Sequence, residues 1–236
     1  MNTMKLSSET QAILQNFSGI NQSIMIREGS KLSTISASKN ILANANISEV
    51  IPKEFGIYDL TKFLGVMKLY ENQVLEFSDE YVIIRNASSP KQYTRFYYSS
   101  PNVIIAPPEN KKIAFPDNPS VQFNMSQRDF QNMIKGASIM GLPEVVIAGN
   151  EGEHVLISGV DSNNSSMGSF NQELDDVIAE SNFSFTIVLE NLTKLMTGEY
   201  DIAFSSNGIS RFNNLTTGVE YFIAVQIDEE DDDDED

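Results

Sequence analysis

The chain contains no cysteine in its 236 residues. Disulfide bonds, thiol catalysis and cysteine metal sites are therefore excluded. No apolar run approaches the ~18 residues that a membrane-spanning helix requires, and the N-terminal segment MNTMKLSSETQ lacks the apolar stretch of a secretory signal. These absences predict a cytosolic protein without a membrane anchor.

Catalytic equipment is also scarce. The single histidine, His154, lies in a predicted strand, and we interpret it as structural because no second ligand or triad partner accompanies it. Glu173, Asp175 and Asp176 are close in sequence, but they lack the pattern of a calcium loop and are typical of a solvated face. Glycine-rich phosphate loops and the H-E-x-x-H motif are absent. The sequence predicts neither an enzyme nor a metal or cofactor site.

The acidic charge is concentrated at one end of the chain. The formal net charge is −17, and the last nine residues, Asp228–Asp236, are all acidic. Without them 24 acidic residues stand against 16 basic ones, a net charge of −8. Such a block repels itself and is predicted to be disordered. It is a solubilising tail, a contact for a basic partner or a guard against stray DNA binding, and the sequence leaves all three open.

A short motif occurs twice. Leu60-Thr61-Lys62 and Leu192-Thr193-Lys194 lie 132 residues apart, each in a segment with apolar residues at helical spacing. Asp59 and Asn191 are the predicted N-caps, and Gly198 is the predicted end of the second helix. Each helix precedes two strand-like runs, joined at Ser78-Asp79-Glu80 in the first copy and at Asn207-Gly208 in the second.

The segments before these motifs follow the same plan. A capping box at Ser8-Glu9-Thr10-Gln11 and a cap at Ser126 each predict a helix. Each of these helices precedes a predicted hairpin, turning at Glu28-Gly29 and near Glu151-Gly152, which lie 123 residues apart. The chain is therefore predicted to contain four helix-plus-strands units in two similar halves.

A proline-rich segment separates the halves. We predict domains at 1–99 and 121–227, a linker at 100–120 that contains five prolines, and the acidic tail at 228–236. The linker is unusually apolar at Val103, Ile104, Ile105 and Phe115. These side chains either attach the linker to the core or form part of a docking groove for a partner.

Three segments of the first half resemble a known family. MKLSSETQAILQNFSGINQSIM (4–25), NANISEVI (44–51) and IYDLTKFLGV (57–66) are similar to the sliding clamp of T-even-type bacteriophages, the processivity factor of the replicative DNA polymerase. The resemblance implies an α+β DNA-clamp fold with two similar domains, in which three subunits form a ring with helices lining it and sheets outside. It also implies that the protein binds duplex DNA, DNA polymerase and an ATP-dependent clamp loader in the cytoplasm of the infected bacterium. It leaves open whether phage transcription proteins dock as well.

The resemblance also implies which residues face DNA. A clamp must slide, so a modest cationic lining is sufficient for sequence-independent phosphate contacts. The candidates are the basic residues in or beside the predicted helices: Lys5, Lys62, Lys68, Arg128, Lys135 and Lys194. Lys62 and Lys194 are the strongest pair, because the repeat predicts equivalent positions for them.

Ring closure requires an interface between subunits. We predict that an edge strand carrying Tyr93, Phe96 and Tyr98 pairs with a strand around 166–172 of the next copy. A second hypothesis is an acidic phage structural or DNA-mimicking protein that binds basic partners. The grouping of cations on the predicted helices favours the clamp, whereas the acidic tail alone favours the mimic.

Overall fold

The chain folds into two compact units. The computed structural model describes residues 3–109 and 113–227, apart from the side chains of Pro90 and Ser165. Unit 1 comprises Met1–Lys112 and Gly218–Glu220, and unit 2 comprises Ile113–Thr217 and Tyr221–Asp236. The boundary falls inside the predicted linker, and the predicted acidic tail lies outside the described residues.

The elements of the two units repeat in the same order. Unit 1 contains β1 (Thr3–Met4), α1 (Ser8–Ile20), β2 (Ile24–Ile26), β3 (Gly29–Ile35), β4 (Ile41–Ile51), β5 (Phe55–Ile57), α2 (Leu60–Met67), β6 (Gln73–Phe77), β7 (Tyr81–Asn86) and β8 (Ser89–Tyr97). Unit 2 contains β9 (Val121–Met125), α3 (Gln127–Met140), β10 (Glu144–Gly149), β11 (His154–Val160), β12 (Phe170–Ile178), β13 (Phe183–Val188), α4 (Leu189–Leu192), β14 (Tyr200–Ser205), β15 (Ile209–Asn214), β16 (Glu220–Ala224) and a final β17 (Gln226–Ile227). The predicted duplication is confirmed.

The sheets repeat as well. In unit 1 the strand order is β1-β6-β7-β8, and in unit 2 the equivalent order is β9-β14-β15-β16. The other sheet of unit 2 has the order β12-β11-β10-β13-β17, whereas unit 1 pairs β2 with β5 and β3 with β4. Each helix packs its apolar face into its own unit; α1 buries Ile13, Leu14, Phe17 and Ile20.

The N-terminus of α1 is capped differently from the predicted box. The N-cap is Ser7, one residue earlier, and its hydroxyl accepts a hydrogen bond from the Thr10 amide at 3.1 Å. Glu49 of β4 is the second residue that caps this helix end. Its carboxylate accepts a hydrogen bond from the Ser7 amide and another, at 2.6 Å, from the Thr10 hydroxyl. Partial burial opposes ionisation of Glu49, but these hydrogen bonds outweigh it and lower the pKa of the carboxyl. A residue distant in sequence thus completes the cap.

The caps of α2 and α3 are as predicted. The carboxylate of Asp59 accepts a hydrogen bond from the Lys62 amide at 2.8 Å, and the Ser126 hydroxyl accepts one from the Asp129 amide at 3.2 Å. Helix α3 ends at Met140, and its C-cap is Gly141, whose φ of 71° is in the left-handed region that glycine tolerates.

The fourth helix is shorter and earlier than predicted. It begins directly after β13 and ends at Leu192, so Asn191 is buried inside it and is not its N-cap. The chain leaves the helical path because two buried tyrosines bind the backbone of Met196. The Met196 amide donates to the Tyr221 hydroxyl at 3.2 Å, and its carbonyl accepts from the Tyr200 hydroxyl. Burial raises the pKa of both phenols.

The predicted hairpin at Glu28-Gly29 is also wrong. Strand β2 pairs with β5, and β3 pairs with β4 through the turn between Ile35 and Ile41. All three residues of β2 are buried, and so are all three of β5. A fully buried strand lacks the alternation of apolar and polar residues that would indicate its pairing partner. The local sequence therefore favours pairing with the nearest strand, which is not the partner observed. The hairpins near Glu151-Gly152 and Asn207-Gly208 are confirmed.

The two faces of β8 differ. Phe96 is half-buried against Phe63 of α2, with ring centroids 5.2 Å apart, and the ring of Tyr98, just after the strand, lies 5.0 Å from that of Phe55. Burial, together with the negative charge of Asp79, raises the pKa of Tyr98 to about 12. Tyr93 and Tyr97 are on the opposite face and are at least half exposed. Of the three residues predicted at the subunit interface, Tyr93 is open to solvent, whereas Phe96 and Tyr98 support the core.

The cap of α1 generates the first prediction. Glu49→Gln should lower the free energy of unfolding by about 1 kcal/mol at pH 7, because it removes a charge-assisted hydrogen bond at a helix N-terminus. The folded-state pKa of Glu49 is lowered, so its contribution is present above the unfolded pKa and is lost as pH falls through the folded value. Urea denaturation between pH 3 and pH 7 measures both effects. Glu28→Gln, which changes an exposed carboxylate of the same unit, should have little effect. An equal loss at pH 3 and pH 7 for Glu49→Gln would show that the charge is not responsible.

Candidate functional site

Helix α3 carries an exposed cationic stripe. Arg128, Asn132 and Lys135 follow one another at i, i+4 and i+7, and all three side chains are exposed. Within the part of the chain that the structure describes, neither cation has a carboxylate within salt-bridge distance. The stripe is opposite the buried residues Phe130 and Met133. Both cations are therefore available to an external anion.

Helix α2 presents two further lysines. Lys62 has a side chain that is 70% exposed, and its Nζ lies 3.7 Å from the capping carboxylate of Asp59. Lys68 follows the helix, is exposed, and donates to the Gln15 side-chain carbonyl of α1 at 3.0 Å. An exposed ion pair and an exposed hydrogen bond of this kind are both weak, so both lysines remain able to contact a phosphate.

The other two helices contribute little positive charge. No lysine or arginine occurs within α1, whose exposed face contains Glu9, Ala12 and Gln15. Lys5 precedes this helix and is exposed. The predicted cationic lining is therefore uneven, with α2 and α3 carrying most of it.

Lys194 differs from its predicted partner in the repeat. It lies beyond the end of α4, whereas Lys62 is the third residue of α2, so the repeated tripeptide occupies non-equivalent positions. Its side chain is mostly buried, and its Nζ lies 3.1 Å from the carboxylate of Glu190. The prediction that Lys62 and Lys194 are equivalent is wrong, because α4 begins three residues before the motif and α2 begins with it.

The first part of the linker is held on unit 1 by polar contacts. The Asn21 amide group donates to the Ile105 carbonyl at 3.0 Å, and the Ile105 amide donates to the Ser23 hydroxyl at 3.4 Å. The guanidinium of Arg27 donates to the Pro107 carbonyl at 3.0 Å and lies 3.8 Å from the carboxylate of Glu109. These contacts fix the path of the backbone, and nothing in the local sequence indicated them.

The predicted docking residues separate into exposed and anchoring side chains. Val103 is 53% exposed and Ile105 is 43% exposed, whereas Ile104 packs inward over Gly56. A Cβ atom on Gly56 would lie 2.8 Å from the backbone carbonyl oxygen of Ser99 and 2.9 Å from Cδ1 of Ile104, so a larger residue at this position would clash with the backbone. The exposed apolar surface of this segment therefore consists of Val103 and Ile105.

Phe115 belongs to unit 2. Its ring centroid lies 6.3 Å from that of Phe222, and the guanidinium of Arg211 lies 5.0 Å from the ring on which it stacks. Arg211 is in turn paired with Asp201 at 3.1 Å. Phe115 therefore anchors the second part of the linker on its own unit.

The remaining polar candidates carry no catalytic arrangement. His154 is exposed at the start of β11, with Nδ1 at 3.2 Å from the Leu174 carbonyl. Among the described residues, no group of three or more histidine, aspartate or glutamate side chains could hold a metal ion. Within the same residues, no helix is long and apolar enough to cross a membrane.

Comparisons with known proteins agree with this architecture. The chain matches the family described as DNA polymerase processivity factor over residues 7–106 and the family described as gp45 sliding clamp, C terminal, over residues 122–227. The sliding clamp of Enterobacteria phage T4 is 30% identical over 95% of this chain and 98% of its own length. That of Vibrio phage KVP40 is 29% identical over 94% and 99%.

The fold also resembles solved structures at low sequence identity. The A. fulgidus PCNA to which the C-terminal region of FEN-1 is bound is 13% identical, with a TM-score of 0.69 over 98% of this chain and 100% of that one. PCNA from Thermococcus kodakaraensis is 16% identical, with a TM-score of 0.67 over 95% and 98%. The predicted clamp fold and the resemblance to the phage clamps are both confirmed. This chain belongs to the sliding clamp family of phage DNA polymerase processivity factors.

Proposed function

We propose that three copies of this chain close head to tail around duplex DNA and tether the replicative polymerase for processive synthesis. An ATP-dependent clamp loader would open the ring, and the protein would act without catalytic activity in the cytoplasm of the infected bacterium. The observation that carries the proposal is the exposed cationic stripe of α3, supported by the lysines of α2, in a chain whose net charge is −17.

The charge distribution fits retention by topology. A strongly acidic protein is repelled by DNA over most of its surface. A few exposed cations on α2 and α3 provide mobile, sequence-independent phosphate contacts without tight binding. The alternative hypothesis of an acidic structural or DNA-mimicking protein receives no support from the family to which the chain belongs.

The polymerase would dock on the exposed apolar part of the linker. Val103 and Ile105 offer adjacent apolar surface on a backbone that Asn21 and Arg27 already hold in place. A preformed surface of this kind suits a short peptide with apolar anchors, because little ordering is required on binding. The clamp loader and any transcription partner would compete for the same surface.

The second prediction concerns DNA. Arg128→Gln with Lys135→Gln should reduce the stimulation of polymerase processivity on primed circular DNA about tenfold, while the oligomer remains intact. The slope of the logarithm of the duplex-binding constant against the logarithm of salt concentration should fall in magnitude by ~0.9 for each phosphate contact removed. The measurements are product length in a loader-dependent synthesis assay and binding by fluorescence anisotropy over a salt series.

The charge-matched control for this variant is Lys31→Gln with Lys194→Gln. Lys31 is exposed on β3 and Lys194 is paired with Glu190, so this variant should retain most of the stimulation. The wild-type protein should also leave DNA faster when the circle is cut, because it slides off the ends. Equal retention on circular and linear DNA would overturn the topological mechanism.

The third prediction concerns docking. Val103→Asp with Ile105→Asp should abolish polymerase stimulation while leaving the fold and the oligomer unchanged, because both side chains are exposed. Ile104→Asp should instead destabilise unit 1 by about 2–4 kcal/mol, since it places a charge against Gly56. Polymerase stimulation and urea denaturation separate the two effects.

Val50→Asp is the matched control for docking. Val50 is 70% exposed on β4, so Val50→Asp makes the same change from an apolar to an acidic side chain at an exposed position outside the linker. Full stimulation by the Val103 and Ile105 variant, or an equal loss with Val50→Asp, would place the docking surface elsewhere. Deletion of Asp228–Asp236 should have a smaller effect, mainly on the salt dependence of DNA binding.

A further inference from the structure

The four-stranded sheet of unit 1 carries exposed aromatic rings on one face. Phe96 and Tyr98 lie toward the core, whereas Tyr93 and Tyr97, on the opposite face, are 50% and 60% exposed. Tyr81 of β7 pairs with Tyr97 across the ladder, and their ring centroids lie 5.5 Å apart in an edge-to-face arrangement. A group of exposed rings on one face is typical of an interaction surface.

Two cations alternate with these rings along β8. Lys91, Tyr93, Arg95 and Tyr97 follow one another at every second position, and all four are exposed. Such positions are about 7 Å apart along a strand, so one extended molecule can contact both rings and both cations. The guanidinium of Arg95 lies 5.3 Å from the ring centroid of Tyr81 and 5.7 Å from that of Tyr93. These contacts hold the guanidinium in position without neutralising its charge.

The charge of this sheet is opposite to that of the whole chain. Its four strands contain three cations and one carboxylate, in a chain whose net charge is −17. The carboxylate, Glu76, is paired with Arg85, whereas the described residues place no carboxylate within salt-bridge distance of Lys91 or Arg95. The turn at 78–80 adds two carboxylates at one end of the sheet. A molecule that covers the rings and the two unpaired cations is therefore expected to be an anion.

Single-stranded nucleic acid fits this arrangement better than other anions. Its bases have flat faces that stack on aromatic side chains, and its phosphates follow the same path as the bases. Duplex DNA buries the faces of its bases, and an acidic peptide has no bases, so both can use the cations but not the rings. Exposed aromatic residues on a four-stranded sheet are also the means by which one common type of RNA-binding domain holds unpaired bases.

We propose that the exposed face of β7 and β8 is a binding site for single-stranded nucleic acid. Tyr93 and Tyr97 stack on two bases of one strand, and Arg95, between them, contacts the phosphates together with Lys91. Binding is independent of base sequence, because a ring stacks on any base, and it is weak, because the protein as a whole is acidic. The site is separate from the cations of α2 and α3, so this inference goes beyond the function proposed above.

Strand pairing at the free edge of β8 would leave the site open. Such pairing uses backbone N–H and C=O groups in the plane of the sheet, whereas Tyr93, Arg95 and Tyr97 extend from its face. A protein that assembles as proposed above and one that stays monomeric would therefore both present the site. The two proposals can fail independently.

Fluorescence anisotropy tests the rings with a labelled oligothymidylate of about 15 nucleotides and the full-length protein at low salt. Tyr93→Ala with Tyr97→Ala should weaken binding at least tenfold, because two stacking contacts are lost. Tyr93→Phe with Tyr97→Phe keeps both rings and should bind within twofold of wild type. Tyr58→Ala removes a ring that is 55% exposed outside this sheet, so this matched control should also stay within twofold.

A salt series tests the cations. For Lys91→Gln with Arg95→Gln, the slope of the logarithm of the binding constant against the logarithm of salt concentration should fall in magnitude by ~0.7 for each phosphate contact removed. Circular dichroism and sedimentation velocity check that each variant keeps the fold and the oligomeric state of the wild type. An unchanged slope would show that neither cation contacts a phosphate and would overturn their part in the site.

Cross-linking locates the strand on the wild-type protein and requires no substitution. An oligonucleotide that contains 5-iodouracil, irradiated in the complex, should cross-link to Tyr93 or Tyr97, and mass spectrometry identifies the modified peptide. Cross-links confined to α2 and α3 would place the single strand on the duplex-facing helices and overturn the site.

Three binding results would also overturn the proposal. The first is a wild-type protein that does not bind oligothymidylate at low salt, and the second is an alanine variant that binds as the wild type does. The third is displacement of the oligonucleotide by oligoglutamate at equal charge concentration, which would identify an acidic peptide as the occupant. A loss of binding in the phenylalanine variant equal to that in the alanine variant would show that the hydroxyl groups hold the ligand, and would overturn stacking.

Discussion

The free edges of β8 and β12 are the constraint on which the organisation of this protein depends. Each is a nine-residue strand with one row of backbone groups that its own sheet leaves unpaired. One lies in each unit, and the exposed side chains along them are opposite in charge, with Arg95 on β8 and Glu173 on β12. An edge of this kind favours unwanted association unless it is selective. In the ring proposed above, each edge would meet an edge of the next copy.

In the proposed function the contact between the protein and DNA is weak. A net charge of −17 opposes non-specific adhesion, and the exposed cations are restricted mainly to α2 and α3. Polar residues such as Gln15 and Asn132 complete the exposed helix faces. In the proposed function, retention depends on a closed chain of subunits more than on the affinity for phosphate. The linker is firmly attached at Asn21 and Arg27 while Val103 and Ile105 stay exposed, so the proposed docking surface does not require the linker to move.

Prediction from the sequence succeeded where the signal is local. The apolar spacing of α1, α2 and α3, the caps at Asp59 and Ser126 and the hairpin at Asn207-Gly208 depend on residues within four positions of one another. It failed at α4, where the hydroxyls of Tyr200 and Tyr221 take the backbone groups of Met196. It also failed at β2, whose partner β5 is about 30 residues away, and at the cap of α1, which Glu49 completes from β4. In each failure at least one deciding partner is distant in sequence: Tyr221 at α4, β5 at β2 and Glu49 at α1.

The sequence by itself determined the duplication, the family, the absence of thiol chemistry and the set of cations available for DNA. Periodicity, turn residues and composition carry that information, because each is a property of neighbouring residues or of the whole chain. Only the tertiary structure decided which members of each set are free to act. It placed Lys194 beside Glu190, turned Phe96 and Ile104 inward, and left Arg95, Arg128 and Ile105 exposed. Exposure and pairing depend on what packs against a side chain across the fold, and a one-dimensional pattern does not contain that contact.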